Sequence, residues 1–311
     1  MVSISLQFLQ IFNRRQKELI VPERAFFRVR KKGDYLILHK IFQLITFRRV
    51  NFDILIELII ILLLILAFAN FVGSAIGFAD ALIMIPLMAL FIDVRTAIIL
   101  SGFWSAWLSI LNAIKYRDQF DMKFWKKYAI PAILGAILGS TLIIVAPLEW
   151  LQFSLSLFIL TYICAKIADL IKVKKIISEN GFYINERSVD SIPTSLFYTG
   201  SFSYGFLAGL IGASGPINVV LLERTGHEKE NFIQNFAVAS LTVAAFRLSI
   251  YVWGALFPID FLLLFLLGLI VIFLATRAGH WITPKIPKQT FQALVLLLLF
   301  IIAIRMLLSL L

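Results

Sequence analysis

Gly73-Ser-Ala-Ile-Gly77-Phe-Ala-Asp80-Ala-Leu-Ile-Met-Ile-Pro86-Leu interrupts an apolar span running from about Ile54 to Phe91. A plain membrane helix would be filled with Leu and Ile. This stretch instead carries two glycines, a run of small residues, a carboxylate and a proline. Glycine costs roughly 1 kcal/mol in a helix interior and proline roughly 3 kcal/mol. An uninterrupted helix is therefore not expected, and backbone groups are freed at membrane depth. Irregular backbone is tolerated there only where it is buried in protein or lines a cavity.

A second stretch, Gly205-Phe-Leu-Ala-Gly209-Leu-Ile-Gly212-Ala-Ser214-Gly215-Pro216-Ile-Asn218, has the same texture. A shift of 135 residues lays Gly77 on Gly212, Asp80 on Gly215 and Leu82 on Ile217. Paired Gly/Pro-interrupted segments in the two halves of a membrane protein point to a transporter's binding site. The plainer reading is close helix packing through small residues four apart, Gly205 with Gly209 and Gly135 with Gly139.

Composition sets the class. The chain is 60% hydrophobic and 15% charged, with a mean hydropathy of +0.93, where a soluble domain carries about 25% charged residues. It reads as an all-α polytopic membrane protein. Cys164 is the single cysteine, which excludes an intramolecular disulfide and cysteine-cluster metal sites. The net charge of +11 is concentrated early, with 11 of 29 Lys and Arg in the first 50 residues. That fits cytoplasmic retention and anionic headgroups better than nucleic acid.

Residues 1–50 form a basic arm, cytoplasmic or interfacial, that does not read as a signal peptide; Tyr35–Phe47 suits a helix lying on the membrane surface. Apolar spans follow near 54–91 and 193–222, both interrupted, and near 95–114, 128–146, 150–171, 231–255, 259–279 and 289–311. Spans of about 20 residues fit a hydrocarbon core of roughly 30 Å, and about 8–10 transmembrane helices are expected. Repeat one covers 51–171, a linker 172–192, and repeat two 193–311. The duplication extends past the motifs: Gly135, Gly139 and Pro147 match Ala275, Gly279 and Pro287, and Asp121 matches Asp260.

The loop 115–127 carries Lys115, Arg117, Lys123, Lys126 and Lys127, whereas its counterpart near 254–260 has no Lys or Arg. Conversely, 147–151 has only Glu149, while 277–288 has Arg277, Lys285 and Lys288. Basic loops favour the cytoplasm, so the two repeats are expected to be inverted. Inversion requires an odd number of crossings per half, and the spans count to four.

Few polar groups lie inside the spans. Asp80 sits in the first break, where a carboxylate costs about 2.5–3.5 kcal/mol on insertion scales; it is a candidate proton carrier or cation ligand, or the N-cap of the helix it begins. Arg247 lies mid-span, a permanent charge suited to an oxyanion or to pairing with Asp80; snorkelling to an interface is the alternative. Gly73, Ser74, Gly77, Pro86, Gly212, Ser214, Gly215, Pro216 and Asn218 complete the expected substrate site, with Asn70 and Asn235 as further hydrogen-bonding candidates. Helix N-termini exposed at the breaks add unpaired N–H groups and partial positive charge. No cofactor or metal is called for. HExxH, GxSxG and Walker A signatures are absent from the sequence, so no enzyme activity is expected.

Gly77-Phe-Ala-Asp80-Ala-Leu-Ile-Met-Ile-Pro86-Leu-Met resembles the first-repeat signature of the TauE/SafE (sulfite exporter, TSUP) family, and Gly212-Ala-Ser-Gly215-Pro216-Ile is similar to its second. The likeness covers roughly 54–311. Ala79 departs from a usual glycine, Ile217 from a frequent second proline, and the basic arm is additional. The resemblance implies a multi-pass secondary transporter of the bacterial inner membrane, moving a small anion such as sulfite or an organosulfonate, with a proton as the possible coupling ion. An anion channel and a structural or assembly membrane protein remain the alternatives.

Overall fold

Glycine and proline set where the helices end. The computed structural model describes residues 56–73, 80–180, 193–227, 229–282 and 288–310. Side-chain surroundings are described for these residues except 169–180, 229, 260, 280–282 and 288–294. The basic arm, Ser74, Gly77, the linker residues 181–192 and Pro287 lie outside the described residues. The chain divides into two compact units, Met1–Ile61 and Leu62–Leu311, and the contacts that build the helix bundle lie within the second.

Among the described residues there are ten α-helices and no strands. They are α1 Ile56–Gly73, α2 Asp80–Met88, α3 Val94–Lys115, α4 Met122–Val145, α5 Leu148–Asn180, α6 Thr194–Leu210, α7 Gly215–Arg224, α8 Lys229–Trp253, α9 Leu262–Ile282 and α10 Lys288–Leu308. The order of one helix, one short helix and three long ones thus occurs twice. Six of them contain stretches long and apolar enough to cross a membrane: Ile56–Gly73, Val94–Lys115, Met122–Val145, Leu148–Ala168, Glu230–Trp253 and Leu262–Gly279. Their outward faces carry side chains such as Leu138, Leu142, Leu263 and Ile270, each at least 44% exposed. In water such a surface would be a large apolar patch; in hydrocarbon it is matched. The protein is an all-α polytopic membrane protein.

Sequence dictates the ends of the long helices. Asp93 caps α3 by accepting from the Thr96 N–H at 2.9 Å. Asp121 caps α4, accepting from the N–H groups of Lys123 and Phe124 at 2.8 and 3.1 Å. Removing such a cap costs about 1 kcal/mol.

The small-residue packing is realised between α4 and α6. A Cβ on Gly135 or Gly139 would strike carbonyls of Phe202 and Phe206, and one on Gly205 the carbonyl of Ala132. At Gly209 it would stand 2.6 Å from the Ser140 nitrogen. Residue numbers rise together along both helices, so they run parallel, backbone against backbone. Close approach of this kind replaces the hydrophobic driving force that lipid removes.

α3 and α8 cross antiparallel. Gly102 packs on Leu248 and Arg247, while beyond the far end of α3 the Asp121 N–H donates to Asn235 Oδ1 at 2.9 Å and Asn235 Nδ2 donates to the Gln119 carbonyl at 3.1 Å. There His227, between α7 and α8, is buried with Nε2 3.4 Å from Asp121 Oδ2 and its ring 4.8 Å from that of Phe124.

Candidate functional site

The second broken segment folds back on itself. Gly212 takes φ +72°, a left-handed conformation that glycine adopts without the clash a Cβ brings. α6 ends at Leu210 and α7 begins at Gly215. Gly200 on the one helix lies against Leu221 on the other, so the two form an antiparallel hairpin. In the first segment the ends also meet: a Cβ on Gly73 would stand 2.7 Å from Asp80 Cβ. Gly73 therefore serves the close approach of α1 to the start of α2, and the buried Pro86 lies within α2.

The two broken segments touch. A Cβ on Gly212 would lie 2.8 Å from Ile85 Cδ1 of α2, 3.3 Å from Ile98 Cγ2 and 3.4 Å from Ser101 Oγ of α3. The next residue of α3, Gly102, lies 3.5 Å by the same measure from the Arg247 guanidinium carbon. The Ser101–Gly102 step thus brings the hairpin tip and Arg247 to one place. A Cβ at 102 would meet the guanidinium at ordinary van der Waals distance, and only Leu248 Cδ2, 3.3 Å away, would have to give slightly.

Arg247 is 6% exposed, so it does not snorkel. Its Nη1 donates to the Ala208 carbonyl at 3.0 Å and its Nη2 to the Gly102 carbonyl at 3.3 Å. Nε–H is buried without an acceptor. Among the described residues no carboxylate lies within ion-pairing distance of it. Asp80, in the first turn of α2, is near enough to feel its charge, and its carboxylate also interacts with the backbone at Asp80 and Ala81 and with the Ser105 side chain.

The two short helices therefore differ at their starts. α2 begins with a carboxylate in its first turn. α7 begins with Gly215-Pro216, and Ser214, 3% exposed, makes no side-chain cap. Pro216 has no N–H and the Ile217 N–H donates to the Ser214 carbonyl at 3.0 Å, so the Gly215 N–H is the donor left at this uncapped start, where the helix dipole places partial positive charge.

Asn218 is fully buried on α7, and neither atom of its amide has a partner. Counting one turn back from the Gly200–Leu221 contact puts it about level with Tyr204 of α6. The Tyr204 hydroxyl lies 3.0 Å from Ser240 Oγ and interacts electrostatically with both Arg247 and Asp80. Beside it stands Tyr128, ring centroids 5.9 Å apart, with a buried hydroxyl that interacts with that of Tyr204. Tyr251, also within reach of the Arg247 charge, donates to the Gly209 carbonyl. These tyrosines escaped the sequence reading, and so did Ser105 and Ser240; a hydroxyl on an apolar stripe gives no sign of whether its partner is satisfied. Asn70 and Asn235 are otherwise engaged, the first with the Leu66 carbonyl of its own helix and the second with the α3–α4 turn.

The collection is one fixed cation with a free donor, an uncapped helix N-terminus, an unsatisfied amide and phenolic hydroxyls. Such groups suit an oxyanion. Comparison with curated proteins and with solved structures gave no match. A family model described as sulfite exporter TauE/SafE matches residues 62–306, a range that holds both broken segments and Arg247. The chain belongs to the sulfite exporter TauE/SafE family of membrane transporters.

Proposed function

We propose that the protein is a secondary transporter, working as an exporter, that moves a small sulfur oxyanion such as sulfite or an organosulfonate by alternating access. The anion binds where the α7 N-terminus, Ser214, Asn218 and Tyr204 surround Arg247, with Gly212, Gly215 and Pro216 shaping the tip and Gly73 and Pro86 positioning α2. Asp80 is the candidate carrier of a coupling proton, its charge opposing that of Arg247. The observation that carries this reading is the buried Arg247 guanidinium, each terminal nitrogen giving an N–H to a backbone carbonyl and the Nε–H buried and unspent. A purely structural arginine at membrane depth would be expected to use all its donors or to face a carboxylate.

The two sets of five helices support an inverted repeat, divided as 51–171, 172–192 and 193–311. The proposed equivalents α3 and α8 run antiparallel. The hairpin α6–α7 returns to the side it came from, and α1–α2 is read the same way; each half then has three complete crossings, the odd number that inversion requires.

The test is flux of sulfite and of a sulfonate into proteoliposomes, with and without an imposed proton gradient. Saturable flux that follows the gradient is expected. Arg247→Gln is expected to abolish it while the protein still inserts and is purified in normal yield. Undiminished flux in that variant removes Arg247 from the site, and flux that neither saturates nor follows a gradient would indicate a channel.

A further inference from the structure

Further along α3 from this site, α3 and α9 run side by side toward the same membrane face. Trp104 of α3 donates to the Phe265 carbonyl of α9 at 3.2 Å, and towards their C-terminal ends the pair opens a cavity of about 350 Å³. Its lining changes character along the helix axes. Along the two helices the lining passes from Leu108 and Phe273 through Asn112 and Thr276 to the exposed Lys115 and Arg277. From Leu108 to Lys115 this covers roughly 10 Å at helical rise.

That gradation matches an amphiphile. Phe273 is 50% exposed, so the apolar wall opens sideways to hydrocarbon. Thr276 Oγ1 is buried and unpartnered, a donor at the depth of ester or glycerol oxygens. Neither Lys115 nor Arg277 has a carboxylate within ion-pairing distance among the described residues; Lys115 lies over the Tyr116 ring at 4.8 Å. A loose inorganic anion would engage only the two cations and leave the apolar wall unused.

We propose that this cavity binds one anionic phospholipid, its phosphate between Lys115 and Arg277, its glycerol region at Asn112 and Thr276, and an acyl chain along Leu108 and Phe273. Basic pockets between transmembrane helices are suited to acidic headgroups. The site shares no residue with the oxyanion site, so either assignment can fail without the other.

The full-length protein, purified in detergent, is titrated with phosphatidylglycerol and separately with phosphatidylcholine, and binding is counted by native mass spectrometry. Lys115→Gln with Arg277→Gln is compared with Lys126→Gln and Lys127→Gln, which remove equal charge from the neighbouring stretch. All four positions are exposed, so folding is not at stake. The first pair should lower phosphatidylglycerol affinity about thirtyfold, taking each basic side chain near an anionic surface as worth about a factor of five. The second pair and phosphatidylcholine should show no such change, and glycerol 1-phosphate should not compete. An equal loss in the control pair, equal binding of phosphatidylcholine, competition by glycerol 1-phosphate, or no loss in the first pair each overturns the proposal.

Discussion

Asn218 buries a whole amide without a partner, and each orphaned polar group costs about 1–3 kcal/mol. Replacement by an apolar side chain of similar size removes that penalty. Asn218→Leu is therefore expected to leave thermal stability unchanged or raised, while saturable flux falls at least about tenfold, the loss of one good hydrogen bond to a charged ligand. Gain of stability with full flux would mean that the amide is only a packing flaw. Asp80, Arg247 and Asn218 stand out in the sequence because polar residues are scarce in apolar spans and each demands a reason. Tyr204 and Tyr128 were not. Their significance lies in neighbours far along the chain, Ser240 for one and Tyr204 for the other, and no local pattern encodes that proximity. The opposite error is equally physical: Asn235 stood out for the same scarcity, yet its amide closes the α3–α4 turn.

At the scale of elements, the hairpin tip depends on one backbone conformation. Gly212→Ala imposes a left-handed conformation that costs an L-residue roughly 1–2 kcal/mol, and its Cβ would press on the movable end of Ile85. Gly212→Asn should recover much of that loss, since asparagine tolerates the conformation better. Thermal unfolding in detergent reads the order Gly, Asn, Ala; Ala equal to Gly would show that the tip relaxes freely. At the other end of the hairpin, burial holds His227 below its ordinary value, with Asp121 opposing the shift. Thr225, Asp121 and the edge of Phe124 are the groups that face it. The folded state thus resists protonation that the unfolded chain accepts. The contribution is complete above about pH 6.5 and is lost as pH falls through the lower folded value. Protection from hydrogen exchange at the α7–α8 turn, corrected for the intrinsic pH dependence of the rate, should fall on acidification below pH 6.5, and His227→Gln should flatten that dependence. An unchanged profile in the variant would put the sensitivity elsewhere.

For the whole molecule, the apolar spans and their breaks were readable because period, glycine and proline are local signals. Whether a broken span crosses or doubles back was not, since hydropathy is the same along either path. Only the contact of Gly200 with Leu221 distinguishes them in the second half. How the helices are joined also bears on motion. The Phe124 and Phe197 rings at the starts of α4 and α6 lie 5.7 Å apart. On a Cys164→Ser background, Phe124→Cys and Phe197→Cys linked by a short bifunctional reagent should leave flux intact. Loss of flux on linking, restored by cleaving the reagent, would mean that α4 and α6 separate during the cycle.

The glycine-lined contact between those two helices behaves mechanically as a weld. It fastens a helix from the first half of the chain to one from the second, with carbonyls seated where side chains would otherwise act as a lubricating layer. Sliding one past the other would drive backbone into backbone at Gly135, Gly139 and Gly205. A rocker whose two pieces are the two halves of the chain would have to break this joint. For the proposed cycle, the dividing line between fixed frame and moving part is therefore expected to cut across both halves, keeping α4 and α6 in one casting.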